Sequence, residues 1–74
     1  MAKARTLTTK QRLFVDEYII DLNGTQAAIR AGYSKKTAQE QASRLLSNVM
    51  VENAINEAIA DRRRRLRIDA DTVL

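Results

Sequence analysis

The sequence lacks the residue types on which most catalytic and metal sites depend. Its 74 residues include no histidine and no cysteine. This excludes imidazole bases, Ser-His-Asp triads, thiolate nucleophiles, disulfides and structural zinc sites. Its apolar runs are too short to span a membrane, and its basic start is not followed by the apolar segment of a signal peptide. We therefore expect a cytoplasmic protein that is not an enzyme, has no cofactor or metal and makes no membrane contact.

Helix-breaking residues and large aromatic side chains are also scarce. There is no proline, and there are only two glycines, so the chain has few places where a helix must stop. It has one Phe, two Tyr and no Trp, whereas 11 residues are alanine. A chain of this length supports one domain, whose core must be built largely from small side chains. The sequence therefore predicts a small, all-α domain of modest stability.

Apolar spacing predicts a compact bundle of about four helices. The first opens at Thr8, which fits a capping box with Gln11, and ends near Leu22. Its main apolar face, which we expect to be buried, consists of Phe14, Val15, Tyr18, Ile19 and Leu22. Leu13 and Ile20 form a second apolar strip beside that face, so we expect this helix to be covered on two sides. The other helices are predicted over residues 25–31, 35–47 and 51–65, with breaks at Asn23-Gly24, Gly32 and Ser47-Asn48.

The predicted helices divide the chain into three segments. Residues 1–7 form a flexible basic arm, and residues 8–65 form the helical domain. Residues 66–74 begin another amphipathic pattern that the sequence cuts short. We interpret this last segment as the start of a linker or oligomerisation region.

Residues 24–47 have the pattern of a helix-turn-helix. A helix of about two turns, a connection containing Gly32 and a longer amphipathic helix follow one another in the expected order. Ala28 and Ala38 supply small side chains where the two helices would cross. Plain helical bundles also contain such hairpins, so a helical module for protein–protein interaction is an alternative.

Two stretches of the sequence, at fixed spacing, resemble one known family. Residues 7–18 read LTTKQRLFVDEY and residues 21–34 read DLNGTQAAIRAGYS, and the ASRLLSN of residues 42–48 continues the match. Together they resemble the N-terminal part of bacteriophage terminase small subunits, over about residues 7–60. Val49 departs from this pattern, in which proline often follows the asparagine.

The resemblance implies a DNA-binding domain that recognises viral packaging-initiation DNA. In this family the small subunit forms a homo-oligomeric ring and presents double-stranded DNA to the terminase large subunit, which carries the ATPase and nuclease, in the cytoplasm of the infected host. The resemblance implies that ring formation and large-subunit contact use later regions, so we expect residues 1–74 to be monomeric. A transcription regulator or a transposase DNA-binding domain is the alternative within the helix-turn-helix class.

A helix-turn-helix inserts the N-terminal half of its second helix into the major groove. This geometry predicts that the side chains at the start and along the outer face of the third helix contact DNA, and that the basic N-terminus adds contacts to phosphates. A solvated helix face is the alternative interpretation of the same pattern. The candidate DNA-binding residues are Ser34, Lys35, Lys36, Thr37, Glu40, Ser43, Arg44, Lys10 and Arg5.

The net charge of +4 is unevenly distributed along the chain. Residues 1–37 contain seven Lys or Arg and three acids, whereas residues 38–74 contain six of each. The run Arg62–Arg65 spreads around a helix, so its members cannot face one ligand together. We expect Arg65 to pair with Asp61 instead, and we expect the acids of the first helix to be surface charges.

Overall fold

The computed structural model describes residues 7–73, with side chains described through Leu66. Within this range the chain forms four α-helices and no strand, which confirms the predicted all-α fold. The division into segments 1–7, 8–65 and 66–74 stays a prediction. The helices are α1 (Thr9–Asp21), α2 (Gly24–Arg30), α3 (Ala38–Ser47) and α4 (Val49–Val73).

Side-chain caps begin the first two helices. The predicted capping box of α1 is present: the Gln11 N–H donates to Thr8 Oγ1 at 3.1 Å, and the Thr8 N–H donates to Gln11 Oε1 at 2.9 Å. Asn23 caps α2 by accepting the Gln26 N–H at 3.1 Å. These bonds satisfy N–H groups that a helix start leaves without partners, so α1 and α2 begin within one residue of the predicted positions.

The start of α3 differs from the prediction. The sequence pattern predicts a helix from Lys35, but α3 begins at Ala38. The hydroxyl of Ser34 accepts the Lys36 N–H at 3.2 Å, and the Ser34 carbonyl accepts the Thr37 N–H at 3.1 Å. This local turn competes with helical geometry, so residues 31–37 form a longer connection than the compact helix-turn-helix turn.

The fourth helix is longer than predicted. Asn48 ends α3 and begins α4, because its Oδ1 accepts the Met50 N–H at 2.8 Å. The helix then continues to Val73 rather than ending near residue 65. Residues 49–73 contain no glycine or proline, so no residue forces the predicted break. No helix in the described part of the chain has the length and apolar character needed to cross a membrane.

Among residues 7–66, three of the larger side chains are fully buried, and small residues fill much of the remaining core. These three are Phe14, Val15 and Val51. Phe14 stacks on the half-buried Tyr18 with ring centroids 5.6 Å apart, a favourable offset distance for aromatic rings. The rest of the core consists of five alanines with Leu45 and Ile55: Ala27, Ala28, Ala31, Ala38 and Ala42.

Two features of α1 differ from the predicted packing. Leu13 and Ile20, expected to be covered, are 43% and 62% exposed. Leu22, expected on the buried face, is 59% exposed because it lies beyond the helix end in a left-handed conformation, with φ 57°. The other helices therefore cover α1 on one side only.

The packing of α2 against α3 depends on small residues. A Cβ placed on Gly24 would lie 3.3 Å from the Cβ of Ala42 and 3.4 Å from Leu46, which is already tight packing. Ala28 and Ala38 are both fully buried, as their small size at the predicted crossing requires. Larger side chains on these surfaces would force the helices apart.

Replacing Ala28 with leucine is therefore expected to destabilise the domain. The larger side chain has no space in a fully buried position, and overpacking of this kind costs about 1–3 kcal/mol. Thermal or urea unfolding followed by circular dichroism measures the loss. Ala60→Leu, at an exposed position of α4, serves as the control and is expected to change stability by less than about 0.5 kcal/mol. Equal stability of Ala28→Leu and the wild type would contradict the packing.

Candidate nucleic-acid interface

The outer face of α3 is set by its buried face. Ala38, Ala42 and Leu45 pack against the core, and side chains three and four residues apart share one side of a helix. Glu40, in the first turn, and Arg44, in the last turn, are consequently exposed. Ser43 is exposed as well, and Ser47 donates to its carbonyl at 3.0 Å. This face therefore offers a carboxylate, a hydroxyl and a guanidinium to a partner.

The other predicted residues of this region lie ahead of the helix. Ser34, Lys35 and Lys36 are exposed in the connection from α2, and Thr37 directly precedes α3. The prediction that Lys35 and Lys36 lie in the first turn of the helix is wrong, because the Ser34 turn delays the start of α3. Both lysines are therefore presented from a loop rather than from a helix.

Lys10 joins this region from the first turn of α1. Its Nζ lies 4.9 Å from the centroid of the Tyr33 ring, a cation–π distance. Tyr33 directly precedes Ser34 and Lys35, so the α1 start and the α2–α3 connection together carry three lysines. Arg5, the remaining predicted residue, lies outside the described residues.

Arg30 is held by α1 and is not part of this region. Its Nε donates to Glu17 Oε1 at 2.7 Å, and its Nη2 donates to Asp21 Oδ1 at 3.3 Å and to the Glu17 carbonyl at 3.1 Å. The bond to Glu17 raises the pKa of Arg30 above its usual value. The Asn23 N–H, which donates to Asp21 at 3.1 Å, lowers the pKa of Asp21, and Arg30 lowers it further. Arg30 thus ties α2 to α1.

The arginines of α4 contact different groups. This agrees with the prediction that the run spreads around the helix. Arg62 donates from Nη1 to the carbonyl of Ile19 at 3.2 Å, which links α4 to the end of α1. Arg65 pairs with Asp61 at 3.2 Å, as expected, and Arg64 pairs with the same carboxylate at 3.5 Å. The run is therefore divided between packing and local ion pairs.

The acids of α1 behave as surface charges with arginine partners. Arg12 lies 3.9 Å from Asp16, and Glu17 and Asp21 both contact Arg30. Among the described residues, no group of acids is arranged to hold a metal ion. By contrast, within residues 7–66 no carboxylate lies within ion-pair distance of Lys10, Lys35, Lys36 or Arg44.

We call the surface formed by Lys10, Lys35 and Lys36 the basic surface. Glu40, Ser43 and Arg44 form the exposed face of α3, which follows Lys35 and Lys36 in the sequence. The sequence pattern and charge distribution select these residues as candidates but do not indicate the Lys10–Tyr33 contact, because it joins positions 23 residues apart on different elements. The periodicity of either helix carries no information about that pairing.

Over the described residues, these features define a small domain of four helices, with a helix-turn-helix-like pair and a surface of cations that have no carboxylate partner there. The sequence profile of the terminase small subunit family matches residues 7–74, so the chain belongs to that family. It is 56% identical over 54 residues to the terminase small subunit of Staphylococcus phage 80alpha, a match that covers 72% of this chain and 37% of that protein.

Two Bacillus phage proteins extend the similarity along most of the chain. The terminase small subunit of phage SPP1 is 41% identical over 68 residues, which cover 90% of this chain and 46% of that protein. The terminase small subunit of phage SF6 is 44% identical over 69 residues, which cover 92% of this chain and 39% of that protein. The chain therefore spans less than half the length of these relatives. No solved structure matches it.

The lowered pKa of Asp21 predicts a pH-dependent stability difference between the wild type and Asp21→Asn. The ionised carboxylate stabilises the native state above its unfolded-state pKa, and this contribution is lost as pH falls through the lower native-state pKa. We expect Asp21→Asn to be less stable than the wild type above about pH 5, with the difference shrinking in more acidic solution. Urea unfolding at several pH values measures it, and a difference independent of pH would contradict the Asp21 contacts.

Proposed function

We propose that this chain is the DNA-binding domain of a terminase small subunit, which recognises double-stranded viral DNA where packaging begins. The observation that carries the proposal is the separation of charges. Arg12, Arg30, Arg64 and Arg65 are engaged by carboxylates, whereas the basic surface and Arg44 have no such partner in the described part of the chain. Duplex DNA presents a regular array of phosphates that matches such cations.

The two parts of the interface have different roles in this proposal. Lys35 and Lys36, in the loop before α3, neutralise phosphates and set the position of the domain on the duplex. Glu40, Ser43 and Arg44 extend from α3 towards base edges in the major groove, where a carboxylate accepts from cytosine N4 and a guanidinium donates to guanine. The hydroxyl groups of Ser34 and Thr37 donate hydrogen bonds to the phosphate backbone of the DNA.

The wider assembly is also part of the proposal. The domain binds DNA without catalysing a reaction, and the ATPase and nuclease belong to the terminase large subunit. Regions absent from residues 1–74 assemble the small subunit into a ring and contact the large subunit in the host cytoplasm. A ring increases affinity because many weak modules bind one DNA molecule together.

Removing three cations from the interface is expected to weaken DNA binding strongly. The triple variant Lys35→Ala, Lys36→Ala, Arg44→Ala loses contacts to phosphates and bases, so we expect affinity for packaging-region duplex to fall by more than about tenfold. Fluorescence anisotropy at low salt measures the affinity, and circular dichroism checks that the helices remain.

The matched control removes the same charge elsewhere. Arg63→Ala, Arg64→Ala, Arg65→Ala also lowers the net charge by three, at exposed positions of α4. We expect a much smaller loss from this variant. Equal losses in both triple variants would mean that total charge, rather than the proposed interface, determines binding. A wild-type domain that fails to shift duplex DNA at low salt would instead favour a protein-interaction module.

The isolated chain is expected to bind DNA weakly and with strong salt dependence. An excess charge of +4 neutralises about 3–5 phosphates, which gives a slope of roughly −3 to −5 in a plot of log K against log salt. One module without a ring should bind with Kd of about 10⁻⁴–10⁻⁶ M near physiological salt. Sedimentation and titrations at two salt concentrations test this expectation. A stable oligomer, or nanomolar binding that is insensitive to salt, would contradict it.

A further inference from the structure

The contact between Lys10 and Tyr33 joins two parts of the basic surface. The Lys10 ammonium lies 4.9 Å from the ring centroid of Tyr33, inside the roughly 6 Å over which a ring face attracts a cation. Lys10 is exposed and Tyr33 is half-buried, so the lysine side chain adds little apolar burial to the core. The contact instead restricts where one exposed positive charge lies.

The backbone of the α2–α3 connection holds Tyr33 in place. Its N–H donates to the carbonyl of Ala28 in α2 at 3.0 Å. Gly32 adopts φ +105°, a conformation that residues with a side chain rarely reach. A Cβ on Gly32 would lie 3.6 Å from Cε of Lys10, so the lysine stem runs close along this turn before its ammonium meets the ring.

We propose that Tyr33 is a positioning residue of the DNA interface, whose ring holds the Lys10 ammonium beside the loop that carries Lys35 and Lys36. The inference rests on the proposed function, because the partner it requires is the phosphate backbone of duplex DNA. A lysine side chain loses considerable rotamer freedom when it binds. Lys10 has lost part of that freedom before DNA arrives, and such preorganisation increases affinity.

The main consequence is that Tyr33 acts on DNA binding through Lys10. Removing the ring in Tyr33→Leu, which keeps an apolar side chain, is expected to weaken duplex binding by about two- to fivefold. Tyr33→Phe keeps the ring and is expected to bind like the wild type. In a Lys10→Gln background, Tyr33→Leu should cause no further loss, because the cation that the ring positions is already absent.

A double-mutant cycle on packaging-region duplex DNA tests this coupling, with affinities measured by fluorescence anisotropy at low salt. Arg44→Gln supplies the control, because Arg44 lies near the end of α3 and not in the α2–α3 connection that carries Tyr33. The fold losses of DNA affinity caused by Arg44→Gln and by Tyr33→Leu should multiply in the variant that carries both substitutions. If the losses of Lys10→Gln and Tyr33→Leu also multiply, or if Tyr33→Phe binds as weakly as Tyr33→Leu, the proposal is overturned.

A spectroscopic measurement tests the positioning without DNA. Protons above an aromatic ring are shielded, so the ε-methylene protons of Lys10 should resonate upfield of their usual position in the free protein. The shift should persist in Tyr33→Phe and vanish in Tyr33→Leu. Ordinary Lys10 shifts in the folded wild type would overturn the proposal, even if Tyr33→Leu failed to fold.

The two proposals fail in distinguishable ways. If the wild-type domain and its Lys10→Gln variant bind duplex DNA equally, Lys10 is not a contact and the role of Tyr33 is overturned, while the proposed function stands. If the wild-type domain does not bind duplex DNA at low salt, the proposed function fails, and the role of Tyr33 at a DNA interface fails with it.

Discussion

The close packing of α2 against α3 is the constraint on which the rest of the structure depends. A Cβ on Gly24 would lie only 3.3 Å from Ala42 Cβ, and the neighbouring alanines Ala28 and Ala38 are fully buried. Because large core side chains are few, the domain gains packing by bringing helices close rather than by filling wide spaces. This approach determines which side of α3 is buried, and therefore which side chains it presents outward.

Arginine contacts between the helices complete the relation between fold and proposed function. Arg30 contacts two acids of α1, and Arg62 contacts the Ile19 carbonyl. These bonds tie α2 and α4 to α1, and the acids of α1 balance the charge of Arg30. Each exposed pair contributes little to stability by itself, and none of these contacts involves Lys10, Lys35, Lys36 or Arg44. Cations without a carboxylate partner attract a polyanion more strongly than cations whose charge is already balanced.

The disagreements between sequence prediction and structure have local and nonlocal causes. The helix α3 begins three residues later than predicted, because Ser34 forms a hydrogen-bonded turn that apolar periodicity does not indicate. The exposure of Leu13 and Ile20 has a different origin. A second apolar strip indicates that a helix can be covered on two sides, but only the number and arrangement of its neighbours decide whether it is.

The sequence by itself determined the helical fold, the capping box at Thr8 and the break at Gly32, because these depend on residues within one or two turns of each other. It also determined the family, through two motifs at fixed spacing. Only the tertiary structure decided that Lys10 lies over Tyr33 and that Arg62 reaches Ile19. Such contacts depend on how helices cross, and the apolar pattern of a single helix does not specify a crossing.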